Sequence, residues 1–115
     1  MPAQLKILFV CGRNKWRSPT AERIYRNDPR VSVRSAGVGD KALRKISEED
    51  LDWANLVLVM ERKYASRIRE QFRSRDSFPP IECLDIPDDY EFMDEELITL
   101  IRDGTEFQIT AYKAV

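Results

Sequence analysis

Apolar residues along the chain form four short runs, separated by longer stretches with a different spacing. Continuous runs at residues 5–11 and 55–60 are typical of strands that are covered on both faces. The alternating segment 31–35 and the short run 81–85 predict two further strands, because turn-forming residues bound both of them.

Between these runs, apolar residues recur three or four positions apart, which is typical of helices. The predicted helices begin at residues 18, 47, 61 and 94, the second with a capping box over 47–50. The last helix is predicted to end at Asp103 with Gly104 as its closing residue, and the tail beyond Thr105 stays unassigned.

Strands that alternate with helices favour a parallel, open, doubly wound α/β sheet. Ligands in such sheets bind at the carboxyl ends of the strands. The segments after Val10 and after Leu84 are the most polar strand exits, so we expect them to form one site.

Length and charge narrow the function classes. Residues 1–115 are expected to form a single domain with one core and one cleft. The net charge of -1 provides no broad basic face, so no nucleic-acid partner is expected. The apolar runs are far too short to span a bilayer and no signal-peptide pattern is present, so we expect a cytoplasmic protein without a membrane partner.

The two cysteines, Cys11 and Cys83, are interpreted as thiols, with Cys83 packed in an apolar strand. The sequence contains no histidine, which removes Ser-His-Asp and Cys-His catalysis and leaves too few ligands for a typical zinc site. No metal or other cofactor is expected. Any acid or base must therefore be a carboxylate, lysine, tyrosine or water.

A thiol, five residues, an arginine and a hydroxyl follow the first strand, in the order Cys11 to Arg17 and Ser18. The five residues between are Gly12, Arg13, Asn14, Lys15 and Trp16. A loop of this length between a strand and a helix can curl around a tetrahedral anion, with its N–H groups turned inward. The partial positive charge at the start of the following helix, together with Arg17, favours a Cys11 thiolate. Arg17 also offers a planar fork for two phosphoryl oxygens.

Two other polar residues of the loop have predicted supporting roles. Ser18 is expected to donate a hydrogen bond to the sulfur. Asn14 is expected to take the left-handed backbone conformation that turns the loop.

A phosphate ester also needs a proton for its leaving oxygen, and residues 88–90 carry the candidate donors. We choose Asp88, whose carboxylate would then activate water against a cysteinyl phosphate. Asp89 is the alternative acid. A purely structural role for both aspartates, in a turn or at the start of the last helix, stays open.

Together these motifs resemble the low-molecular-weight protein tyrosine phosphatase family, whose fold is shared by thioredoxin-coupled arsenate reductases. The matching segments are Val10-Cys11, Asn14, Arg17-Ser18-Pro19 with Ala21-Glu22, Ser35-Ala36-Gly37, residues 54–60, and Ile86-Pro87-Asp88 with Tyr90. They follow the family's order over most of the chain.

The resemblance implies a three-layer, flavodoxin-like fold with four parallel strands in the order 2-1-3-4. It implies hydrolysis of phosphotyrosine in a protein, or of a small aryl phosphate, with Cys11 as nucleophile, Arg17 as phosphate clamp and Asp88 as general acid. Tyr90, with Asp89 beside it, would form a wall against the aryl group. The chain is expected to be a monomer or a weak dimer.

This chain departs from the family pattern at three places. Arg13 stands where a glycine is usual, and Trp16 replaces a second cysteine, so no protective disulfide can form within the loop. The segment 37–47, which bears part of the family's substrate wall, is shorter than usual. Asp89 replaces a common proline.

Alternative functions stay open at this stage. The altered loop could serve a non-catalytic phosphate-binding module. An arsenate reductase would need relay thiols, and only Cys83 is available. Trp53 and Tyr64 are interpreted as packing residues, and the charges of 62–75 as a solvated helix face.

Overall fold

The computed structural model describes residues 4–113. The strands are β1 (Leu5–Cys11), β2 (Val31–Gly37), β3 (Leu56–Val59) and β4 (Ile81–Cys83). The helices are α1 (Arg17–Tyr25), α2 (Glu48–Trp53), α3 (Arg62–Gln71) and α4 (Glu95–Lys113). No helix within 4–113 is long and apolar enough to cross a membrane.

The four strands form one parallel sheet in the order β2-β1-β3-β4, which confirms the predicted topology. The register pairs Cys11 with Gly37, Val10 with Val59 and Val59 with Cys83. The carboxyl ends of all four strands therefore lie along one edge, with β1 near the middle.

The core is the sheet itself, covered on both sides. Ile7, Leu8, Phe9 and Val10 are all fully buried, as expected of a central strand with helices on both faces. Helix α1 connects β1 to β2, whereas α2 and α3 connect strands in the opposite direction across the sheet. Because the crossovers are right-handed, α1 lies on one face of the sheet and α2 and α3 lie on the other. Helix α4 packs beside α1 and completes the three-layer arrangement.

The predicted capping box is present at the start of α2. The Ser47 hydroxyl accepts the Asp50 N–H at 3.3 Å, and the Asp50 carboxylate accepts the Ser47 N–H at 3.1 Å. Asp50 is buried and also binds the guanidinium groups of Arg34 and Arg44. This cluster fixes the end of the short segment 37–47.

The prediction that the last helix ends at Gly104 is wrong, because α4 continues to Lys113. A Cβ at Gly104 would lie 2.8 Å from Leu84 Cδ2, so this glycine allows close approach of the helix to the chain after β4. Strand β4 is shorter than predicted: it ends at Cys83, and Asp85 turns the chain with φ 59°.

Candidate active site

The loop between β1 and α1 holds the Cys11 sulfur at its base. The Asn14 N–H donates to Cys11 Sγ at 3.2 Å, and Asn14 has φ 55°, in the left-handed region predicted for it. The Asn14 side-chain amide donates to Ser18 Oγ at 2.9 Å and to Ser35 Oγ at 3.0 Å. One asparagine therefore fixes both the turn and the serine beside the sulfur.

Ser18 is oriented toward the sulfur by its other contacts. Its Oγ lies 2.9 Å from Cys11 Sγ and 3.4 Å from the Ala36 carbonyl. Because Asn14 already donates to this oxygen, the hydroxyl hydrogen is free for one of these two acceptors. The shorter contact favours the sulfur, which a thiolate would strengthen further.

The segment after β2 supports the loop from behind. The N–H groups of residues 38, 39 and 43 donate to the carbonyls of Cys11, Gly12 and Arg13 at 3.0, 2.8 and 2.9 Å. These hydrogen bonds hold the backbone of residues 11–13 against the segment that follows β2. The short segment 37–47 therefore buttresses the loop.

Gly37 is the residue that permits this close packing. A Cβ there would lie 2.8 Å from the Gly12 carbonyl oxygen, 2.9 Å from the Asn14 nitrogen and 2.6 Å from the Ala42 Cβ. Two of these neighbours are backbone atoms of the loop, which cannot move without disturbing it. Any larger residue at 37 would push the loop out of place.

Arg17, only 3% exposed, is bound on one edge by three acceptors. Its Nη1 donates to Glu61 Oε2 and to the Ile86 carbonyl, both at 2.7 Å. Its Nη2 donates to Tyr64 Oη at 2.7 Å, and that hydroxyl donates to Glu61 Oε2 at 2.9 Å. Three of the five guanidinium N–H groups are therefore in use, on the end formed by the two Nη atoms.

The remaining two N–H groups of Arg17, one on Nε and one on Nη2, share the other edge of the guanidinium. This edge is a two-donor fork that matches a pair of phosphoryl oxygens. Asp88 Oδ1 lies 3.6 Å from Nε, so the aspartate borders the same edge. The Asp88 side chain is 62% exposed and is therefore accessible from solvent.

Charge in this network is balanced inside the protein. Burial raises the pKa of Glu61, but hydrogen bonds from Arg17 and Tyr64 outweigh it, so the pKa falls below its ordinary value of 4.5. Burial lowers the pKa of Arg17, yet the Glu61 hydrogen bond and the Tyr64 contacts raise it above its ordinary value. Burial and Glu61 raise the pKa of Tyr64, so its hydroxyl stays protonated and can donate to Glu61.

A cavity of about 200 Å³, here called the Cys11 pocket, opens above the sulfur. It is lined by Cys11, Gly12, Arg13, Lys15, Trp16, Arg17, Tyr64 and Asp88. A larger depression of about 410 Å³ lies at the amino ends of β3 and β4, and its lining contains neither cysteine nor cation. Of these two cavities, only the smaller one brings Cys11 together with cationic side chains.

Within residues 4–113, no group of three or more His, Cys, Asp or Glu side chains is placed to hold a metal ion. The Cys11 pocket instead combines a thiol, two guanidinium groups, one ammonium group and one carboxylate. Such a donor set suits an oxyanion.

Solved structures with the same architecture include tyrosine phosphatases and an arginine phosphatase. SP-PTP, the low molecular weight protein tyrosine phosphatase of Streptococcus pyogenes, matches with a TM-score of 0.75 at 20% identity, over 94% of this chain and 93% of its own. The YwlE arginine phosphatase of Geobacillus stearothermophilus matches with a TM-score of 0.66 at 25% identity, over 95% and 96%. The tyrosine phosphatase Wzb of Escherichia coli K30, solved with phosphate, matches with a TM-score of 0.69 at 23% identity, over 92% and 96%.

The chain has the fold of the low-molecular-weight protein tyrosine phosphatases. The resemblance predicted from the sequence is thereby confirmed for the fold. No protein-family model and no curated protein matches the sequence. At this level of identity, structure preserves a similarity that residue-by-residue comparison over the whole chain has nearly lost.

On this low-molecular-weight phosphatase fold, most of the predicted site residues come together. The pocket lining includes seven of them: Cys11, Gly12, Arg13, Lys15, Trp16, Arg17 and Asp88. Asn14 and Ser18 lie behind the sulfur as its hydrogen-bond partners. Asp89 and Tyr90 are not in the lining, and their role as a substrate wall stays a prediction.

The sequence did not point to Glu61 and Tyr64, which bind the guanidinium of Arg17. The sequence pattern favours a packing role for Tyr64 and places Glu61 only at the start of a charged helix. A usable signal was available: Glu61 directly follows Met60 at the end of β3, where parallel sheets place their site residues. Tyr64 lies three residues further, on the same side of the first helical turn.

Proposed function

We propose that this protein hydrolyses phosphate monoesters through a cysteinyl-phosphate intermediate, with phosphotyrosine or another aryl phosphate as substrate. One observation carries the proposal: Cys11 and Arg17 line the same pocket of about 200 Å³. A tetrahedral anion there would meet a nucleophile on one side and a fixed fork of donors on another.

In the first step, the phosphoryl group binds the loop N–H groups and the free edge of Arg17. The Cys11 thiolate, supported by the Asn14 N–H and the Ser18 hydroxyl, attacks phosphorus. An S–P bond forms as the ester P–O bond breaks, and Asp88 gives its proton to the leaving oxygen. Charge on the equatorial oxygens is stabilised by Arg17 throughout.

In the second step, the Asp88 carboxylate takes a proton from water, and the water oxygen attacks phosphorus. The S–P bond breaks, its electron pair returns to sulfur, and inorganic phosphate is released. The Ser18 hydroxyl, 2.9 Å from the sulfur, stabilises the departing thiolate. The cycle returns Asp88 to its protonated form and needs no cofactor.

The pocket lining supports an aryl group as the leaving group. Trp16 lines the pocket and is 37% exposed, so its indole can contact an aryl ring. The Geobacillus neighbour is an arginine phosphatase by name, so phosphoarginine is the second substrate class to assay. Arg13 and Lys15 in the lining disfavour a cationic guanidinium and favour a neutral ring.

The assay uses p-nitrophenyl phosphate with a metal chelator present, and phosphoarginine in parallel. We expect turnover by the unmodified protein and none by Cys11→Ser. Asp88→Asn is expected to lower kcat by roughly 10²- to 10⁴-fold, while the neighbouring Asp89→Asn changes it little. Normal turnover by Cys11→Ser would refute the mechanism, and equal losses in the two asparagine variants would refute the choice of acid.

The same assay decides between the alternatives. Tight phosphopeptide binding without release of alcohol would favour a non-catalytic binding module. Thiol-dependent consumption of arsenate would favour a reductase, but the geometry offers no support for one: Cys83 lies on β4, two strands from β1, and its sulfur accepts the Asp85 N–H at 3.3 Å. A phosphorylated substrate in the cytoplasm is the interpretation we adopt.

A further inference from the structure

Two basic depressions adjoin the Cys11 pocket. The first, of about 300 Å³, is lined by Gly12, Arg13, Val38, Gly39, Lys63, Tyr64 and Arg67. The second, of about 360 Å³, is lined by Arg13, Lys15, Lys41 and Leu43. Among the residues that the structure describes, neither lining includes a carboxylate.

The first depression continues directly from the Cys11 pocket. Gly12, Arg13 and Tyr64 line both cavities, so a substrate that enters the pocket has its remaining parts within reach of the depression. Lys63 and Arg67 are four residues apart on α3, which puts them on one face of the helix. With Arg13 they bring three cations to this side of the mouth.

The carboxylates nearby do not neutralise these cations. Asp40 lies 3.8 Å from Arg67 Nη2, is 84% exposed and is shared with Lys45 at 3.2 Å. Glu61 lies 3.8 Å from Lys63 Nζ, but its other oxygen is bound by Arg17 at 2.7 Å. Since each carboxylate is divided between two cations, the depression keeps an excess of positive charge.

On the basis of the proposed phosphatase function, we propose that Arg13, Lys63 and Arg67 form an anion subsite. This subsite selects substrates that carry a second negative group beside the scissile phosphate. An acidic side chain next to phosphotyrosine in a peptide supplies that chemistry, and so does a second phosphate on an aryl bisphosphate. The substrate lies across Gly12, with the scissile phosphate over Cys11 and the second anion against α3.

The test uses a double variant, Lys63→Gln with Arg67→Gln, which removes two cations of the subsite. Its matched control is Arg69→Gln with Arg73→Gln, the same change of charge at the carboxyl end of the helical segment. Arg69 stacks on Phe78, and Arg73 pairs with Glu70, so neither belongs to the depression. Thermal unfolding of both variants verifies that each one is folded.

The substrates are a phosphotyrosine peptide flanked by glutamates and the same peptide with glutamines. A second pair, 1,3-phenylene bisphosphate and phenyl phosphate, tests whether a second phosphate on a small molecule can replace the acidic side chain of the peptide. For each protein the readout is the ratio of kcat/KM within a pair. We expect the unmodified protein and the control to favour the dianionic member by about tenfold, mainly through KM, which is the size expected of two partly exposed ion pairs.

The subsite variant should lose this preference, and salt at about 0.5 M should lower it in the unmodified protein, because screening weakens exposed ion pairs. A ratio near one in the unmodified protein, or an unchanged ratio in the subsite variant, would overturn the subsite. The Kd values of the two peptides are also measured with Cys11→Ser. If p-nitrophenyl phosphate is not turned over, the proposed function fails, and these Kd values still decide the subsite.

Discussion

At the scale of single residues, the site is organised around how Arg17 distributes its donors. Three N–H groups are bound by Glu61, Ile86 and Tyr64, and this leaves only the edge toward the Cys11 pocket. A lysine at 17 could not satisfy this arrangement, since an ammonium is a point charge without a planar fork. Tyr64 and Glu61 are therefore positioning residues, which act on substrate through the guanidinium.

Tyr64→Phe tests this positioning role. The substitution removes the acceptor of Arg17 Nη2 and the donor to Glu61, so the guanidinium gains freedom to rotate. We expect kcat/KM for p-nitrophenyl phosphate to fall by about tenfold, the equivalent of one hydrogen bond of about 1.4 kcal/mol. Steady-state kinetics and chemical unfolding are measured together.

Tyr25→Phe is the matched control for that prediction. Tyr25 is fully buried, and its hydroxyl donates to Glu106 at 2.8 Å, on helix α4. This variant should lose stability and keep kcat/KM. If Tyr64→Phe behaves in the same way, Tyr64 only packs and does not position Arg17.

At the scale of elements, the segment after β2 supports the loop that follows β1. Its N–H groups bind the carbonyls of Cys11, Gly12 and Arg13. The buried Asp50 cluster holds the far end of this segment against α2. Loop geometry therefore depends on β2 as much as on β1 and α1.

Gly37→Ala is expected to lower kcat by about tenfold or more, with a smaller relative effect on stability. The added Cβ would stand 2.8 Å from the Gly12 oxygen and 2.9 Å from the Asn14 nitrogen, so the loop must shift, and small misplacements in a site are costly. Kinetics with p-nitrophenyl phosphate measure the effect.

Gly104→Ala provides the comparison, because its new Cβ would also be close to a neighbour, at 2.8 Å from Leu84 Cδ2. That neighbour is the end of a side chain away from the loop. We expect a change in the free energy of unfolding without a loss of kcat. A normal kcat in Gly37→Ala would show that the loop does not depend on the buttress.

The elements were predictable from sequence where local pattern decides them, and not where tertiary contact does. Strand β1 and the capping box at Ser47 follow from apolar runs and cap chemistry alone. The sequence predicts a helix end at Gly104 because glycine commonly closes helices, whereas in the structure this glycine makes room for Leu84. The partners of Arg17 were missed for a related reason: they come from a different strand exit, 44 and 47 residues away.

At the scale of the whole molecule, all four strand exits contribute to one site. The exit of β1 supplies the sulfur, that of β2 the buttress, that of β3 Glu61 and Tyr64, and that of β4 the Ile86 carbonyl and Asp88. The parallel sheet in the order 2-1-3-4 is what brings these separated segments together.

The pH dependence of stability follows from carboxylates and tyrosines in two networks. Hydrogen bonds from Arg30 lower the pKa of Asp28 and of Glu106 below their ordinary values of 3.8 and 4.5. Glu61 is shifted in the same direction by Arg17 and Tyr64, against the effect of burial. Burial, with a carboxylate neighbour in each case, raises the pKa of Tyr25 and of Tyr64 above 10.0.

Each carboxylate whose pKa is lowered in the folded protein adds stability. This stability is complete above the pKa that the group has in the unfolded chain, and it is lost as pH falls through the pKa in the folded protein. Each tyrosine whose pKa is raised in the folded protein adds stability that is complete below its pKa in the unfolded chain. This stability is lost as pH rises through the pKa in the folded protein. We therefore expect the free energy of unfolding to be level between about pH 5 and pH 10 and to fall on both sides. Urea titrations over this range give the curve.

Glu61→Gln combined with Glu106→Gln should make the acid side of that curve less steep, because two of the linked carboxylates are gone. Glu70→Gln is the matched control, since Glu70 is 74% exposed and pairs only with Arg73 at the surface. An acid side of unchanged slope in the double variant would contradict the assignment.

The hydrogen bonds from residues 38, 39 and 43 to the loop carbonyls have one more consequence. In the proposed mechanism, these bonds hold the loop in its binding conformation before a substrate arrives, so that binding of the phosphoryl group costs little ordering entropy. A preorganised receptor of this kind cannot distinguish a phosphoryl group that arrives from one that has just been released. We therefore expect free inorganic phosphate to compete with substrate, which inhibition kinetics with p-nitrophenyl phosphate measure.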